Sequence, residues 1–184
     1  GACAVIGLRL GVHRLILLLL TLPMVVSASV DHPLAGGQFT KVGSGRLSWW
    51  GMTVYDATLY APQGHYHPDN PHYLEITYRF GFTREQLASG SLEEIERLRG
   101  RRSDRNQLLS RFRSIFPDVA WGDRILALHR PGEGVEFYQR ERLLGRIADA
   151  ALAADFFSIW LDPATRKPGL REQLLGLRAA STGQ

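Results

Sequence analysis

The order of patterns along the chain predicts an α+β domain, with a mostly antiparallel sheet and helices packed on one of its faces. Three observations carry this. Residues 38–61, 73–80 and 123–145 are rich in β-branched and aromatic residues and are broken by Gly, Pro, Asn and Asp. Helical periodicity fills the span between the second and third of these stretches. A further helical pattern follows the last stretch, so runs of strands and runs of helices are segregated.

The N-terminal segment comes first. Arg9 and Arg14 are the only charged residues before Asp31, and Leu15 to Val26 (LILLLLTLPMVV) is almost wholly apolar. Small residues Ser27, Ala28 and Ser29 follow, which is the order of regions in a secretory signal peptide. A run of about 12 residues falls short of the roughly 20 that a spanning helix needs. The expectation is a signal peptide over 1–28, cleaved after Ala28, and one domain over 29–184 in the periplasm; the alternative is a retained N-terminal anchor. Cys3, the one cysteine, would leave with the signal, and an exported domain without disulfides fits a bacterial periplasm. The net charge of +4 would drop to about +2 once Arg9 and Arg14 are removed. That balance does not point to nucleic acid.

Residues 38–61 (QFTKVGSGRLSWWGMTVYDATLYA) read as two or three strands, with a turn near Gly43–Gly45 and a kink or turn at Gly51. A loop follows over 62–72 (PQGHYHPDNPH). From 73 to 80, Leu74, Ile76, Tyr78 and Phe80 alternate with Glu75, Thr77 and Arg79, the pattern of a half-buried strand. Thr83 with Gln86, and Ser91 with Glu94, have capping-box spacing and predict two short helices. Leu108, Leu109, Phe112, Ile115 and Phe116 recur at helical spacing up to Pro117. Pro131-Gly132-Glu133-Gly134 reads as a hairpin turn between strands 124–130 and 135–140, with a third short strand near Leu143–Gly145. A helix is expected from about Ile147 to Trp160, with Ile147, Ala151, Leu152, Phe156, Ile159 and Trp160 as its apolar face. A loop marked by Asp162, Pro163 and Pro168 leads to a last helical turn at Leu170–Leu175.

Several short motifs lie along these elements. They are Gly43-Ser44-Gly45-Arg46, Val54-Tyr55-Asp56-Ala57-Thr58-Leu59-Tyr60, Trp121-Gly122-Asp123-Arg124 and Pro131-Gly132-Glu133-Gly134-Val135. Gly145-Arg146-Ile147, Phe156-Phe157-Ser158-Ile159-Trp160-Leu161 and Leu174-Leu175-Gly176 complete the set. In this order and spacing the chain resembles the chalcone isomerase-like family, in its bacterial branch, over nearly all of the mature chain. The resemblance implies an open-faced β-sandwich, a large antiparallel sheet with helices packed on it. It also implies one of two activities: closing a chalcone to a flavanone, or binding a fatty acid between sheet and helices.

Arg46 matches the arginine that, in the enzymes, stabilises charge on the reacting oxygens. As a guanidinium it would equally suit a fatty-acid carboxylate. The enzymes carry a threonine where this chain has Trp50, Thr53 is out of register with it, and their helical-region tyrosine has no assigned counterpart. Part of the isomerase machinery is therefore missing, which favours binding. Tyr55, Tyr60 and Tyr78 are the candidates for hydrogen bonding into the cleft, Tyr55 first among them, with core packing as the alternative for each.

Other features are weaker. His65, His67 and His72 share one loop, but no carboxylate or fourth ligand accompanies them at a metal-site spacing, and no metal is expected. Asp123 reads as a turn residue, and Asp56, inside a strand, calls for an arginine partner. The basic run Arg97–Arg105 (RLRGRRSDR) is a solvated loop or a contact with anionic lipid headgroups. No nucleotide-binding glycine loop, Ser-His-Asp signature or zinc-protease motif occurs, so no cofactor is expected. The leading expectation is a periplasmic protein that binds a small apolar carboxylate such as a fatty acid, with Arg46 at the acid group. The alternatives are an isomerase (intramolecular lyase) acting on a chalcone-like conjugated ketone, with Arg46 as its catalytic residue, and an envelope interaction protein without a small ligand. Partner proteins are not legible in the sequence.

Overall fold

In a computed structural model, the structure describes residues 38–178. The expected signal peptide and its cleavage point lie outside the described residues. Six antiparallel strands form one sheet in sequence order: β1 (Phe39–Trp49), β2 (Met52–Pro62), β3 (His72–Tyr78), β4 (Arg124–Arg130), β5 (Gly134–Gln139) and β6 (Arg142–Ile147). Helices α1 (Arg84–Arg99) and α2 (Arg105–Ile115) lie between β3 and β4, and α3 (Ala150–Leu161) and α4 (Pro168–Leu174) follow β6. The architecture is α+β with an open sheet, as the pattern predicted.

Period-two alternation sorts the side chains to two faces. Ala57, Leu59, Leu74, Ile76, Ala127, Val135 and Phe137 join the buried helix residues Leu92, Ile95, Phe112, Leu152 and Phe156 in the main core. A second, small cluster of Tyr73, Leu126 and Leu128, flanked by Phe39, Tyr60 and Tyr138, forms separately from it.

The turn at Gly51 is a two-residue hairpin, with Trp50 at φ 52° and Gly51 at φ 76°, between the paired residues Trp49 and Met52. Positive φ at both central residues twists the ribbon in the sense its strands require. The turn expected at Gly43–Gly45 does not exist: these residues run through the middle of β1, next to a register shift between Lys41 and Gly43. A Cβ at Gly43 would collide with the carbonyl of Gln173, and one at Gly45 with the Gln173 side chain and Leu170. The glycines serve the close approach of α4, not a reversal of the chain.

Thr83 caps α1 as expected. Its hydroxyl accepts from the Gln86 amide (3.2 Å) while the Gln86 side chain accepts from the Thr83 amide (2.9 Å). The second capping box does not form. The Ser91 hydroxyl donates to the Leu87 carbonyl (2.8 Å) inside one continuous helix, because Ala88, Leu92 and Ile95 carry the buried stripe past Gly90. Phe80 lies beyond the end of β3 and is exposed. Ile147 ends β6 instead of opening α3; Asp149 caps that helix through the Leu152 amide (2.9 Å), and Ala151 faces outward.

Candidate ligand cavity

The main contacts of α1 are with α2 and α3 rather than with a strand. The space left between α1, α3 and strands β1–β4 is a cavity of about 320 Å³. The sheet supplies Leu47, Val54, Tyr55, Leu74, Ile76, Tyr78, Ile125 and Ala127. Gln86, Leu87, Gly90 and Ser91 of α1 and Phe156, Ile159 and Trp160 of α3 face them, and Phe82 and Phe116 complete the lining. None of these side chains carries a charge. The volume lies within the roughly 300–1,000 Å³ of small-molecule sites, and an apolar wall with a few polar groups is their usual make-up.

The polar groups are the hydroxyls of Tyr55, Tyr78 and Ser91, the Gln86 amide and the Trp160 indole N–H. Tyr55 and Tyr78 are register partners on β2 and β3, edge to face at 6.4 Å. The Trp160 indole N–H donates to the Tyr55 hydroxyl (2.9 Å), which leaves that hydroxyl its own proton to donate. Burial pushes Tyr55 up to about 12, outweighing the opposing effect of the Trp160 bond. Burial also raises Tyr78, with the Tyr55 hydroxyl adding to the effect. Both are therefore neutral hydrogen-bond donors at physiological pH, not bases.

A second depression, of about 610 Å³, shares Leu47, Tyr55, Ile159 and Trp160 with the first. Its other walls are Trp49, Glu94, Thr165, Arg166, Lys167 and Leu170. Glu94 takes an ion pair from Arg166 (3.2 Å) and another from Arg97 (2.9 Å). The two depressions thus share the Tyr55–Trp160 wall, and the second carries Arg166 and Lys167.

The family model described as chalcone isomerase-like matches residues 28–176. The chain belongs to that family. Among solved structures of this fold, the crystal structure of a fatty-acid binding protein from Arabidopsis thaliana aligns at a TM-score of 0.60 with 15% sequence identity, covering 77% of this chain and 89% of that one. No curated protein matches the sequence.

In this chalcone isomerase-like protein the expected site residues divide. Tyr55 and Tyr78 line the cavity; Arg46 and Tyr60 do not. Arg46 precedes cavity-facing Leu47, so it points to the opposite face of the sheet. There its Nε donates to Asp56 (2.9 Å), which also accepts from Arg79 (2.7 Å). Burial works against charge on Asp56, but the bonds from the two arginines outweigh it and hold the carboxyl below its usual range. Tyr60 stacks on Tyr73 with centroids 4.5 Å apart, in the small cluster on that same face. Arg46→Ala is expected to leave ligand affinity within about twofold, and stability within about 1 kcal/mol because the pair is exposed. Calorimetric titration and thermal denaturation measure the two, and a tenfold loss of affinity would restore Arg46 to the site.

The three loop histidines do not converge. His65 and His67 are exposed, while His72 is buried against His129 and Phe157 at 4.6 and 4.7 Å. Within the basic run, Arg97, Arg99, Arg102 and Arg105 are each ion-paired, to Glu94, to Asp155 and Asp162, to Asp104 and to Glu96 respectively. Asp123 accepts from the Ala120 amide (2.8 Å) in the turn before β4. Sequence reasoning did not single out Gly90, Arg166 or Lys167, and it placed Trp160 on the apolar face of a helix without a role in the site. Nothing local links residue 55 to residue 160, 105 positions away.

Proposed function

We propose that this chalcone isomerase-like protein binds a fatty acid or a similar small apolar carboxylate. The tail lies in the cavity between sheet and helices, and the acid group points past Tyr55 and Trp160 toward Arg166 and Lys167. The observation that carries this reading is a cavity of about 320 Å³ lined mostly by apolar side chains and a few neutral polar groups, with no charged side chain among its walls. Cyclisation of a chalcone builds negative charge on the reacting oxygens, which calls for a cation inside the site. Binding of a tail needs only apolar surface, with each buried CH₂ contributing about 0.8 kcal/mol. The name of the Arabidopsis neighbour is in line with this reading. We also place the protein in the periplasm after removal of residues 1–28.

Native mass spectrometry of the protein from a periplasmic extract tests both points. The expected spectrum shows a chain beginning at Ser29 with a fatty acid bound. In titrations, Arg166→Gln with Lys167→Gln should weaken binding of the acid several-fold and leave the alcohol of equal chain length unchanged. A protein that takes up neither acid nor alcohol would remove the binding reading.

A further inference from the structure

Leu47, Val54 and Tyr78 of the cavity wall lie next to an unusual end of the sheet. Seven large apolar side chains are exposed among the described residues, and six of them lie at the end formed by the β1–β2 turn, the end of β3, the start of β4 and the β5–β6 turn. They are Trp49, Trp50, Met52, Phe80, Trp121 and Leu143. Trp50, at the hairpin tip, is 84% exposed and sits at positive φ, where a bulky residue is strained. An indole held in a strained conformation and packed against nothing costs the fold stability, and such an outlier points to a role outside the fold. Arg79 lies 5.4 Å over the Trp121 ring and bonds Asp56, so Trp121 is tied to the strand that leaves the tip.

We propose that this end of the sheet docks on the surface of a bilayer containing anionic lipid. Indoles favour the headgroup layer, where the ring is half in hydrocarbon and the N–H stays hydrated. Cations suit an anionic surface, and Arg140 and Arg142 stand at this end beside Asp123 and Glu141, while Arg79 and Arg124 there are ion-paired to Asp56 and Glu75. Six exposed apolar side chains at the tips of four segments fall well short of the roughly 20–30 residues a side of a stable protein interface. Trp49 lines the depression that shares Tyr55 and Trp160 with the cavity, so a docked protein would present that depression to the lipid. That last consequence rests on the fatty-acid reading; the docking does not.

The test is partition of the purified protein onto vesicles of phosphatidylcholine, with and without phosphatidylglycerol, read by sedimentation and by quenching of tryptophan fluorescence with brominated lipid. The apolar run at 15–26 holds no tryptophan and is unchanged in every variant. Trp50→Asn with Trp121→Ser should lower partition at least about tenfold and reduce the quenching to what Trp49 in the remaining bound fraction gives. Asn tolerates positive φ, so the thermal midpoint should hold or rise. Arg140→Gln with Arg142→Gln should reduce only the gain from phosphatidylglycerol, by roughly fivefold for each charge. Equal partition by the tryptophan variant, or dimerisation without vesicles that the same variant abolishes, would overturn the proposal. Fatty-acid affinity in solution should be unchanged in Trp50→Asn, and Gly90→Leu should partition like the parent protein, so this proposal and the binding reading fail separately.

Discussion

In Gly90→Leu, fatty-acid binding is expected to fall at least about tenfold while the thermal midpoint rises by roughly 3 °C, the shift that about 1 kcal/mol gives a domain of this size. Gly90 sits in the middle of α1 and lines the cavity, and a Cβ built on it meets no atom within 4 Å. Its φ is not among the positive values, so an L side chain fits the backbone. Exchanging glycine for alanine inside a helix contributes about 0.8–1 kcal/mol through propensity alone, and for leucine slightly less. The new side chain would occupy space that a ligand needs. Gly90→Ala separates the two effects: it should recover most of the stability gain, but its single methyl leaves most of the cavity open. Titration with a fatty acid and thermal denaturation of the three proteins decide the matter. If the leucine variant binds as the parent does, the space between α1 and the sheet is not the site.

That a stabilising residue is absent from the middle of a helix has a simple physical reading. Core helices are packed to the density of organic crystals, and an unfilled space forfeits dispersion contacts on its whole lining. Here Gly90 and Ser91 face Ile76, Tyr78 and Ala127 across the cavity where larger side chains would close it. The cost is tolerated because Leu92, Ile95 and Ala88 anchor α1 through its buried stripe.

What could be read from the sequence follows the range of the interaction. The Thr83–Gln86 box, the Phe112 stripe and the hairpin at Gly51 depend on residues within one or two turns of one another, and each forms as expected. Gly43 and Gly45 look like a turn because their partner, α4, arrives some 125 residues later. Ser91 and Glu94 have the spacing of a cap, but whether a helix starts at Ser91 depends on the burial of Leu92 and Ile95 against α2 and α3. The split between Tyr55 and Tyr60 was within reach of the sequence. They are five apart in one strand, so alternation alone sends them to opposite faces. The same parity separates Arg46 from Leu47. The charged rim at Arg166 and Lys167 could not be foreseen, since it stands near Tyr55 only through the packing of α3 and the loop after it.

Stability is expected to fall by on the order of 3 kcal/mol between pH 6.5 and pH 4, through His72. His72 and His129 are register partners on β3 and β4, with ring centroids 4.6 Å apart. Phe157 packs edge-on against His72 at 4.7 Å and Tyr66 at 4.9 Å. The His72 Nδ1 lies 2.8 Å from the Asn70 carbonyl, so it carries the proton and donates it. Nε2 is buried with no hydrogen-bond partner among the described residues, as is Nδ1 of His129. Protonating Nε2 would place an unpaired cation in an aromatic pocket beside a second imidazole. Burial, chiefly, and the neighbouring His129 therefore lower His72 to about 4, against the opposing bond to Asn70. His129 is lowered as well, by burial, against the Asn70 carbonyl and the charge of Asp69. The folded-state value lies below the ordinary one, so between pH 6.5 and 4 the unfolded chain binds more protons and gains on the folded one as pH falls. Carboxylates held low by arginines, such as Asp56, lose their contribution only below about pH 4, where an unfolded aspartate itself titrates. The two windows are therefore separable in denaturant midpoints measured across pH. His72→Phe keeps a ring among Phe157, Tyr66 and His129 but cannot titrate, and should flatten most of the slope between pH 6.5 and 4 whatever its stability at neutral pH. A slope unchanged in that variant would place the acid sensitivity elsewhere.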